Sequence, residues 1–233
     1  MREFVDRPSV GRTFAATRRV GLGDADAAGR LRVDGFARYL QDVANDDWDD
    51  ASVEGDDVWV VRRASIDAPG PWPMLGDHVR LVTWCAGTGA AWAERRTDLE
   101  LGGRVVARAT SLWVPIGPDG RPRRVRAQFA DVYGEASRGR RVSGRIEAAS
   151  VPPGARRRAW PLRRSDIDVV GHVNNAVAWQ AVAEVAPAVV AAADVTYHGA
   201  IEIDDDVVLA HDGGSLWLCV GDEVRVSGRV EGH

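Results

Sequence analysis

The sequence predicts an α+β protein built from two tandem copies of one unit, each a long helix against an antiparallel sheet. Three observations support this: an internal repeat, a helical hydrophobic period after each copy of the repeat, and strand-like segments after each helix. A helix whose apolar stripe faces a sheet forms a two-layer α+β arrangement. The chain has 233 residues and 45% hydrophobic content, which is enough for a packed core.

The internal repeat is the first element. The segment "GDADAAGRLRVDGFARYLQDVA" (residues 23–44) resembles "SDIDVVGHVNNAVAWQAVAEVA" (residues 165–186). Each contains an Asp-x-Asp-x-x-Gly motif, and the two motifs align without a gap: Asp24, Asp26 and Gly29 with Asp166, Asp168 and Gly171. So long a common register indicates a tandem duplication.

A helix is predicted directly after each motif. Apolar residues recur there at i, i+3, i+4 and i+7, the spacing of one helix face: Phe36, Tyr39, Leu40 and Val43, then Ala178, Ala181, Val182 and Val185. Each helix should therefore present an apolar stripe to a sheet.

Strand-like segments bounded by turn residues follow each helix. They cover 57–67, 77–84, 90–101 and 104–116 in the first copy, and 193–203, 206–211, 215–221 and 223–230 in the second. Because a half-sized sheet has an open edge, the two copies are expected to pair as an internal pseudo-dimer. We therefore expect a first domain at 1–135, an Arg/Gly/Pro-rich linker at 136–158 and a second domain at 159–233. A further homodimer is left open.

Membrane and redox functions find little support. No stretch approaches the roughly 20 apolar residues of a membrane span, and the first residues lack the apolar region of a signal peptide. We expect a cytoplasmic protein. Cys85 and Cys219 stand in strand-like segments without metal-ligand spacing, which predicts buried thiols and offers no metal or redox motif.

Positive charge is concentrated in residues 121–164, which hold 13 arginines against three acidic residues in a chain of formal net charge −4. Such an excess attracts an acidic partner or a phosphate; the alternative is a solvated linker. Nucleic acid is not expected as a partner, because only Phe129, Tyr133 and Trp160 could stack on bases there.

Three segments together carry a recognisable pattern: "DVWVVRRASIDAPGPWPMLGDHVRLVTW", "ATSLWVPIGPDGRPRRV" and "DIDVVGHVNN". They resemble the acyl-acyl carrier protein (acyl-ACP) thioesterase family, which is built from two hot-dog domains, each a helix wrapped by an antiparallel sheet. The resemblance covers most of the chain. The third segment alone is less specific, because thioesterases that act on coenzyme A esters share it.

The resemblance implies hydrolysis of fatty acyl thioesters of acyl carrier protein, which ends fatty acid biosynthesis. It implies no metal or other cofactor, because the substrate brings its own phosphopantetheine arm. The arginines of residues 121–164 would then dock the acidic carrier protein. Two alternatives stay open: an acyl-CoA thioesterase, whose nucleotide phosphates would meet the same arginines, and a hot-dog protein that binds acyl thioesters without hydrolysing them.

The resemblance also implies a catalytic site in the second copy. Thioester hydrolysis needs an activated water and donors for the developing oxyanion, and a loop that leads into a helix supplies free backbone N–H groups. By position, Asp168 and His172 match the family's aspartate and histidine and would activate the water. The backbone of Gly171–Asn175, including Asn174, would help to form the oxyanion hole.

Each of these residues also has a purely structural interpretation. Asn174 or Asn175 fits a helix N-cap, Asp166 fits an Asx-turn, and His172 fits a structural histidine. Phe36 and Tyr39 match positions that line the acyl pocket in the family, although core packing is the alternative for this stripe, above all for Leu40 and Val43.

The chain departs from the plant-type pattern at two places. Val170 stands where that pattern has an asparagine, and the downstream Glu or Cys falls at about Ala200 or Ile201. We therefore expect hydrolysis to depend on Asp168 and His172 without Glu202, which only a shift of register would bring into place. The first copy has Arg30 at the position of His172, which predicts one active site per chain.

Overall fold

A computed structural model describes residues 4–53, 58–186 and 189–232. The outer limits of the two expected domains, residues 1 and 233, and the first residue of the strand expected at 57–67 lie outside these ranges. The described residues form helices α1 (Val33–Ala51), α2 (Ala127–Ser137) and α3 (Asn175–Val185). None of these helices has the length and hydrophobicity that crossing a membrane requires.

Ten antiparallel strands of the described ranges form one sheet. The strands are β1 (Phe14–Arg19), β2 (Val58–Asp67), β3 (His78–Thr88), β4 (Ala93–Leu101), β5 (Arg104–Ile116), β6 (Arg156–Ala159), β7 (Val190–Tyr197), β8 (Val207–Asp212), β9 (Ser215–Val220) and β10 (Glu223–Gly232). Their order across the sheet is β1-β3-β4-β5-β2-β7-β10-β9-β8-β6.

The two halves of the chain meet at the centre of this sheet. Residues 63–67 of β2 pair with residues 192–196 of β7, so the sheet of one half continues into that of the other. Helices α1 and α3 pack against each other, and a single apolar core lies between them and the sheet. The expected α+β fold with duplicated hot-dog units is confirmed.

The sequence patterns located most elements of the sheet. The eight strand-like segments correspond to β2–β5 and β7–β10, and both helical stripes fall inside α1 and α3. Three elements were not predicted, namely β1, α2 and β6. Strand β6 consists of the exposed residues "RRRA" and pairs with β8 at the edge, so backbone pairing rather than a hydrophobic pattern defines it, and it overlaps the end of the expected linker.

Helix α2 lies in the arginine-rich segment that the sequence suggested might be a solvated linker. Its buried residues Phe129, Tyr133 and Ala136 follow helical spacing. Phe129 and Tyr133 pack in a second apolar cluster, in which the Phe129 ring stacks on Trp59 with centroids 5.1 Å apart. The helix thus contributes to the core of the first half.

Candidate active site

The Asp-x-Asp-x-x-Gly motif folds into the same loop in both halves. The carboxylates of its first aspartates, Asp24 and Asp166, accept a hydrogen bond from the backbone N–H three residues earlier, at 3.3 and 2.8 Å. The motif's glycines adopt left-handed conformations that favour glycine, with φ of 80° at Gly29 and 90° at Gly171. These shared features build the loop that leads into each helix.

The second aspartate of the motif differs between the halves. Asp26 has both oxygens occupied: Oδ1 accepts two backbone N–H groups at 2.8 and 2.9 Å, and Oδ2 accepts from the Arg30 guanidinium at 3.0 Å. Burial acts to raise the pKa of Asp26, but these hydrogen bonds outweigh it and lower the pKa. Asp168 Oδ1 accepts from the Val170 N–H at 2.9 Å, while within the described ranges no protein group donates to Oδ2. One oxygen of Asp168 is therefore open to a ligand.

His172 faces a different carboxylate from the one expected. Its Nε2 lies 3.4 Å from Glu202 Oε1, and both side chains are about half exposed. Among the described residues, no hydrogen bond or ion pair joins the side chains of His172 and Asp168. The structure thus brings Glu202 to His172, although the sequence favoured a site of Asp168 and His172 alone.

The position of Glu202 follows from the turn after β7. The backbone N–H of Glu202 donates to Asp205 Oδ2 at 2.8 Å, which fixes the turn. The Val173 N–H donates to the Ile201 carbonyl at 3.0 Å and ties this turn to the loop of His172. The apolar side chain of Ile201 is buried, so Glu202 beside it projects outward.

Asn174 is the N-cap of α3. Its Oδ1 accepts the Ala176 N–H at 2.8 Å, as its structural interpretation requires. The same side chain also forms two hydrogen bonds with Gln41 of α1, at 3.0 and 3.1 Å. The following residue, Asn175, begins the helix, and its carbonyl accepts the Tyr197 hydroxyl at 2.9 Å.

Most backbone N–H groups of Gly171–Asn175 are already occupied. Three of them donate to protein carbonyls: Gly171 to Asp168 at 3.0 Å, Val173 to Ile201 at 3.0 Å and Asn174 to Asp166 at 2.8 Å. The N–H groups of His172 and Asn175 have no protein acceptor in the described part of the chain. These two remain available to an oxyanion at the positive end of α3.

A largely apolar cavity of about 400 Å³ opens beside these groups. Its wall from the first half includes residues 58–62 of β2, among them Trp59. Its wall from the second half includes Asp168, His172, Asn174 and Asn175. The polar groups of the loop therefore line an apolar space between the two halves, the usual character of a ligand site.

A second cavity of about 300 Å³ lies in the first half beside α1. Aromatic side chains form much of its wall: Trp48, Trp59, Trp113 and Phe129. Val169 and Val170, exposed at the tip of the site loop, also line it. Trp59 and Val170 border both cavities, so the two spaces adjoin at the loop that carries Asp168 and His172.

Phe36 and Tyr39 lie in the core near the start of α1 and border neither cavity. The Phe36 ring packs edge-on against Trp72 with centroids 5.8 Å apart. The Tyr39 hydroxyl donates to Asp24 Oδ2 at 2.8 Å. Burial and this carboxylate raise the pKa of Tyr39.

Neither cysteine resembles a nucleophile. Cys85 and Cys219 are buried free thiols. Burial raises the pKa of both, that of Cys85 to about 11, which disfavours the reactive thiolate. Among the described residues, no group of three or more His, Cys, Asp or Glu side chains is placed to hold a metal ion.

Several arginines of residues 121–164 follow, along the chain, residues that line the larger cavity. Gly120 and Leu162 line this cavity, and the next residues along the chain include exposed arginines: Arg121, Arg123, Arg124, Arg163 and Arg164. None of these five forms an ion pair within the described ranges. Arg140 and Arg158 of the same segment instead pair with Glu94 and Glu184.

Sequence reasoning missed Gln41 and Trp59 and set Glu202 aside. Gln41 gives no signal in the sequence, because its partner lies 133 residues away. Trp59 belongs to the quoted "DVWVV" segment, which indicated a strand and the family resemblance but no part in the site. Glu202 was the one acidic residue next to Ala200 and Ile201, where the plant-type pattern has its downstream Glu or Cys. The turn after β7 brings its side chain to His172.

Comparisons with known proteins agree with this architecture. Residues 11–133 match the family described as acyl-ACP thioesterase N-terminal domain, and residues 154–214 match the acyl-ACP thioesterase C-terminal domain. The uncharacterized protein Rv2001 of Mycobacterium tuberculosis is 30% identical over 96% of this chain and 94% of its own length.

Two solved structures share the fold over nearly the whole chain. A crystal structure from Lactobacillus plantarum, provisionally described as an oleoyl thioesterase, has a TM-score of 0.82 with 17% identity, covering 95% of this chain and 96% of that one. The 12:0-ACP thioesterase from Umbellularia californica has a TM-score of 0.75 with 18% identity, covering 94% and 96%.

Proposed function

The chain belongs to the acyl-ACP thioesterase family, and on that premise we propose that it hydrolyses fatty acyl thioesters of acyl carrier protein to free fatty acid and carrier thiol. One observation carries the site assignment: Asp168 and His172 line the same largely apolar cavity at the N-terminus of α3. The first half has Arg30 at the position of His172, so each chain has one such site.

The proposed chemistry uses a water molecule as the nucleophile. His172 removes its proton as the oxygen attacks the thioester carbonyl, and the open oxygen of Asp168 orients the water. The N–H groups of His172 and Asn175 donate to the oxyanion. Collapse of the tetrahedral intermediate breaks the carbon–sulfur bond, and the His172 imidazolium returns a proton to the leaving thiolate. Glu202 stabilises the imidazolium and holds its ring in place.

The two adjoining cavities suggest how the substrate lies. The larger cavity, which the polar site residues line, receives the reacting end of the phosphopantetheine arm. The aromatic cavity beside α1 receives the acyl chain, which passes Trp59 and Val170. The role of Phe36 and Tyr39 in acyl binding stays a prediction, because both residues lie near the start of α1 and border neither cavity.

Docking of the acidic carrier protein is assigned to the arginine-rich surface around residues 121–164. The exposed Arg121, Arg123 and Arg124 support it, because they follow the wall of the larger cavity and form no ion pair among the described residues. Replacing these three by Glu should raise KM for an acyl-ACP severalfold and weaken its salt dependence. Arg104→Glu, at the exposed first residue of β5, is the control.

We further propose the chain organisation expected from the sequence, with domains at 1–135 and 159–233 and a linker at 136–158, and a cytoplasmic location. Two buried free thiols are consistent with a reducing compartment. Light scattering would measure whether two chains form a homodimer.

A thiol-release assay tests this function directly. Purified protein is given one panel of acyl chain lengths on acyl carrier protein and the same panel on coenzyme A. We expect turnover with a preference for the carrier protein. A strong preference for coenzyme A contradicts the assigned carrier, and tight binding without thiol release identifies a non-hydrolytic binding protein.

A further inference from the structure

The amide pair between Gln41 and Asn174 joins the two halves of the chain at the site. Gln41 lies on α1, two turns after the start of that helix, and Asn174 lies 133 residues later at the N-cap of α3. Gln41 Nε2 donates to Asn174 Oδ1 at 3.1 Å, and Asn174 Nδ2 donates to Gln41 Oε1 at 3.0 Å. Both side chains are partly buried.

A third hydrogen bond gives this pair a single direction. Asn174 Oδ1 also accepts the Ala176 N–H at 2.8 Å, and only the oxygen of the amide can accept it. If the Asn174 amide turned over, its NH₂ group would face two donors. The Ala176 N–H therefore fixes the orientation of the Asn174 amide, and Gln41 holds the amide in place with two further hydrogen bonds.

The position of Asn174 in turn sets the start of α3. Its own backbone N–H is bound to the Asp166 carbonyl, and the next residue, Asn175, presents one of the two open N–H groups. His172 precedes it by two residues in the same loop. A change at Asn174 should therefore move both the oxyanion donor and the imidazole relative to the substrate.

The other half has no equivalent pair. By the offset of the internal repeat, Arg32 corresponds to Asn174 and Ala183 corresponds to Gln41. The Arg32 guanidinium instead pairs with Asp34 of its own half, at 2.9 Å. The amide pair therefore occurs only where the site lies.

We propose that Gln41 of the first half is a positioning residue for the active site of the second half, acting through Asn174. This inference rests on the proposed function. The first half, which has no active site of its own, would then contribute to catalysis as well as to substrate binding.

The decisive variant is Gln41→Glu. An ionised carboxylate places an oxygen without a proton against Asn174 Oδ1, whereas a protonated carboxyl has the hydrogen-bonding pattern of the glutamine, donating to Oδ1 and accepting from Nδ2. The kcat of this variant relative to wild type should be lowest above neutral pH and should rise as the pH falls, because the new carboxyl then gains its proton. A merely structural role would not produce this pH dependence.

Gln41→Ala removes the side-chain amide altogether. Its kcat should fall about tenfold because the two hydrogen bonds that hold Asn174 are lost, with KM within about twofold of wild type. Gln180→Ala is the matched control: Gln180 lies on α3 and makes no side-chain hydrogen bond in the described part of the chain. A kcat equal to that of the control, or a Gln41→Glu ratio independent of pH, would overturn the proposal.

Hydrogen exchange of the Ala176 amide separates this inference from the proposed function. At neutral pH it should exchange faster in Gln41→Glu and Gln41→Ala than in wild type, whether or not the protein hydrolyses a thioester. Faster exchange in the two variants, with no thiol release by wild type, would refute only the proposed function. Unchanged exchange together with wild-type hydrolysis would refute only the role of Gln41.

Discussion

The two copies of the motif allow the same substitution to be made at two matched positions. Asp168→Asn and Asp26→Asn each replace the second aspartate of an Asp-x-Asp-x-x-Gly loop. The loops share their turn, their left-handed glycine and the antiparallel β-bridge that closes each loop, Ala25 to Leu31 and Ile167 to Val173. They differ in the partners of the aspartate, so stability and activity should respond in opposite ways.

The expected stability effects follow from the hydrogen bonds. Asp26 accepts two backbone N–H groups and the Arg30 guanidinium, whereas Asp168 accepts one backbone N–H. The Oδ1 of an asparagine can still accept these hydrogen bonds from backbone N–H groups, but without the charge of a carboxylate. Asp26→Asn weakens three charge-assisted bonds at a partly exposed site, which should cost about 1–2 kcal/mol of unfolding free energy. Asp168→Asn weakens one such bond and should cost about 0.5 kcal/mol.

The activity effects should be reversed. Asp168→Asn replaces the open carboxylate oxygen that orients the water by a neutral amide, and the misplaced nucleophile should lower kcat by about 10²-fold. Asp26→Asn should leave kcat within about twofold of wild type. Urea unfolding gives the two stabilities, and thiol release from an acyl-ACP gives the two values of kcat.

One result would refute this reasoning. If both variants lost activity equally while unfolding at the same urea concentration as wild type, the second aspartate would serve one common purpose in the two halves. The contrast between the open oxygen of Asp168 and the occupied Asp26 would then explain nothing about catalysis.

Three further predictions concern other parts of the site and the fold. Glu202→Gln should lower kcat about tenfold by removing the carboxylate that faces the imidazolium, and should have no further effect on top of His172→Ala in a double-mutant cycle; an additive loss contradicts the pairing. Ala44→Phe should fill part of the aromatic cavity and lower kcat/KM about tenfold or more for the longest acyl chains while the shortest are retained, and an unchanged chain-length profile contradicts that cavity's assignment. Asp34→Asn should cost about 2 kcal/mol of unfolding free energy above pH 4. Burial acts to raise the pKa of Asp34, but the hydrogen bonds from Arg32 and Arg38 outweigh it and lower the pKa. The stabilisation is therefore present above the unfolded pKa of about 3.9 and is lost as the pH falls through the folded pKa. Urea unfolding at pH 7 and pH 3 checks it, and an equal difference at the two values contradicts the linkage.

Local periodicity was sufficient to predict the repeating part of the fold. The stripe Phe36, Tyr39 and Val43 became the buried face of α1, and the alternating segments became strands because one face of each meets the core. Strand β6 could not be found in this way, since its four residues are exposed and their structure comes from pairing with β8. Helix α2 was missed because thirteen arginines in the same segment outweighed a short apolar spacing.

The site was partly predictable for a similar reason. The repeat separated the loop architecture from the residues found only in the second half, which pointed to His172 and Asn174. Contacts made across the fold gave no local signal. Glu202 reaches His172 through the turn after β7, and Gln41 reaches Asn174 from the other half of the chain.

The most direct test of the central claim compares initial rates of thiol release from an acyl-ACP by wild type, His172→Ala and His78→Ala. His78 is an exposed histidine at the start of β3, far in sequence from the site loop. The account predicts hydrolysis by wild type and by His78→Ala, and a loss of at least about 10²-fold in His172→Ala with unchanged unfolding. Equal rates for all three proteins would contradict a hydrolytic site at His172.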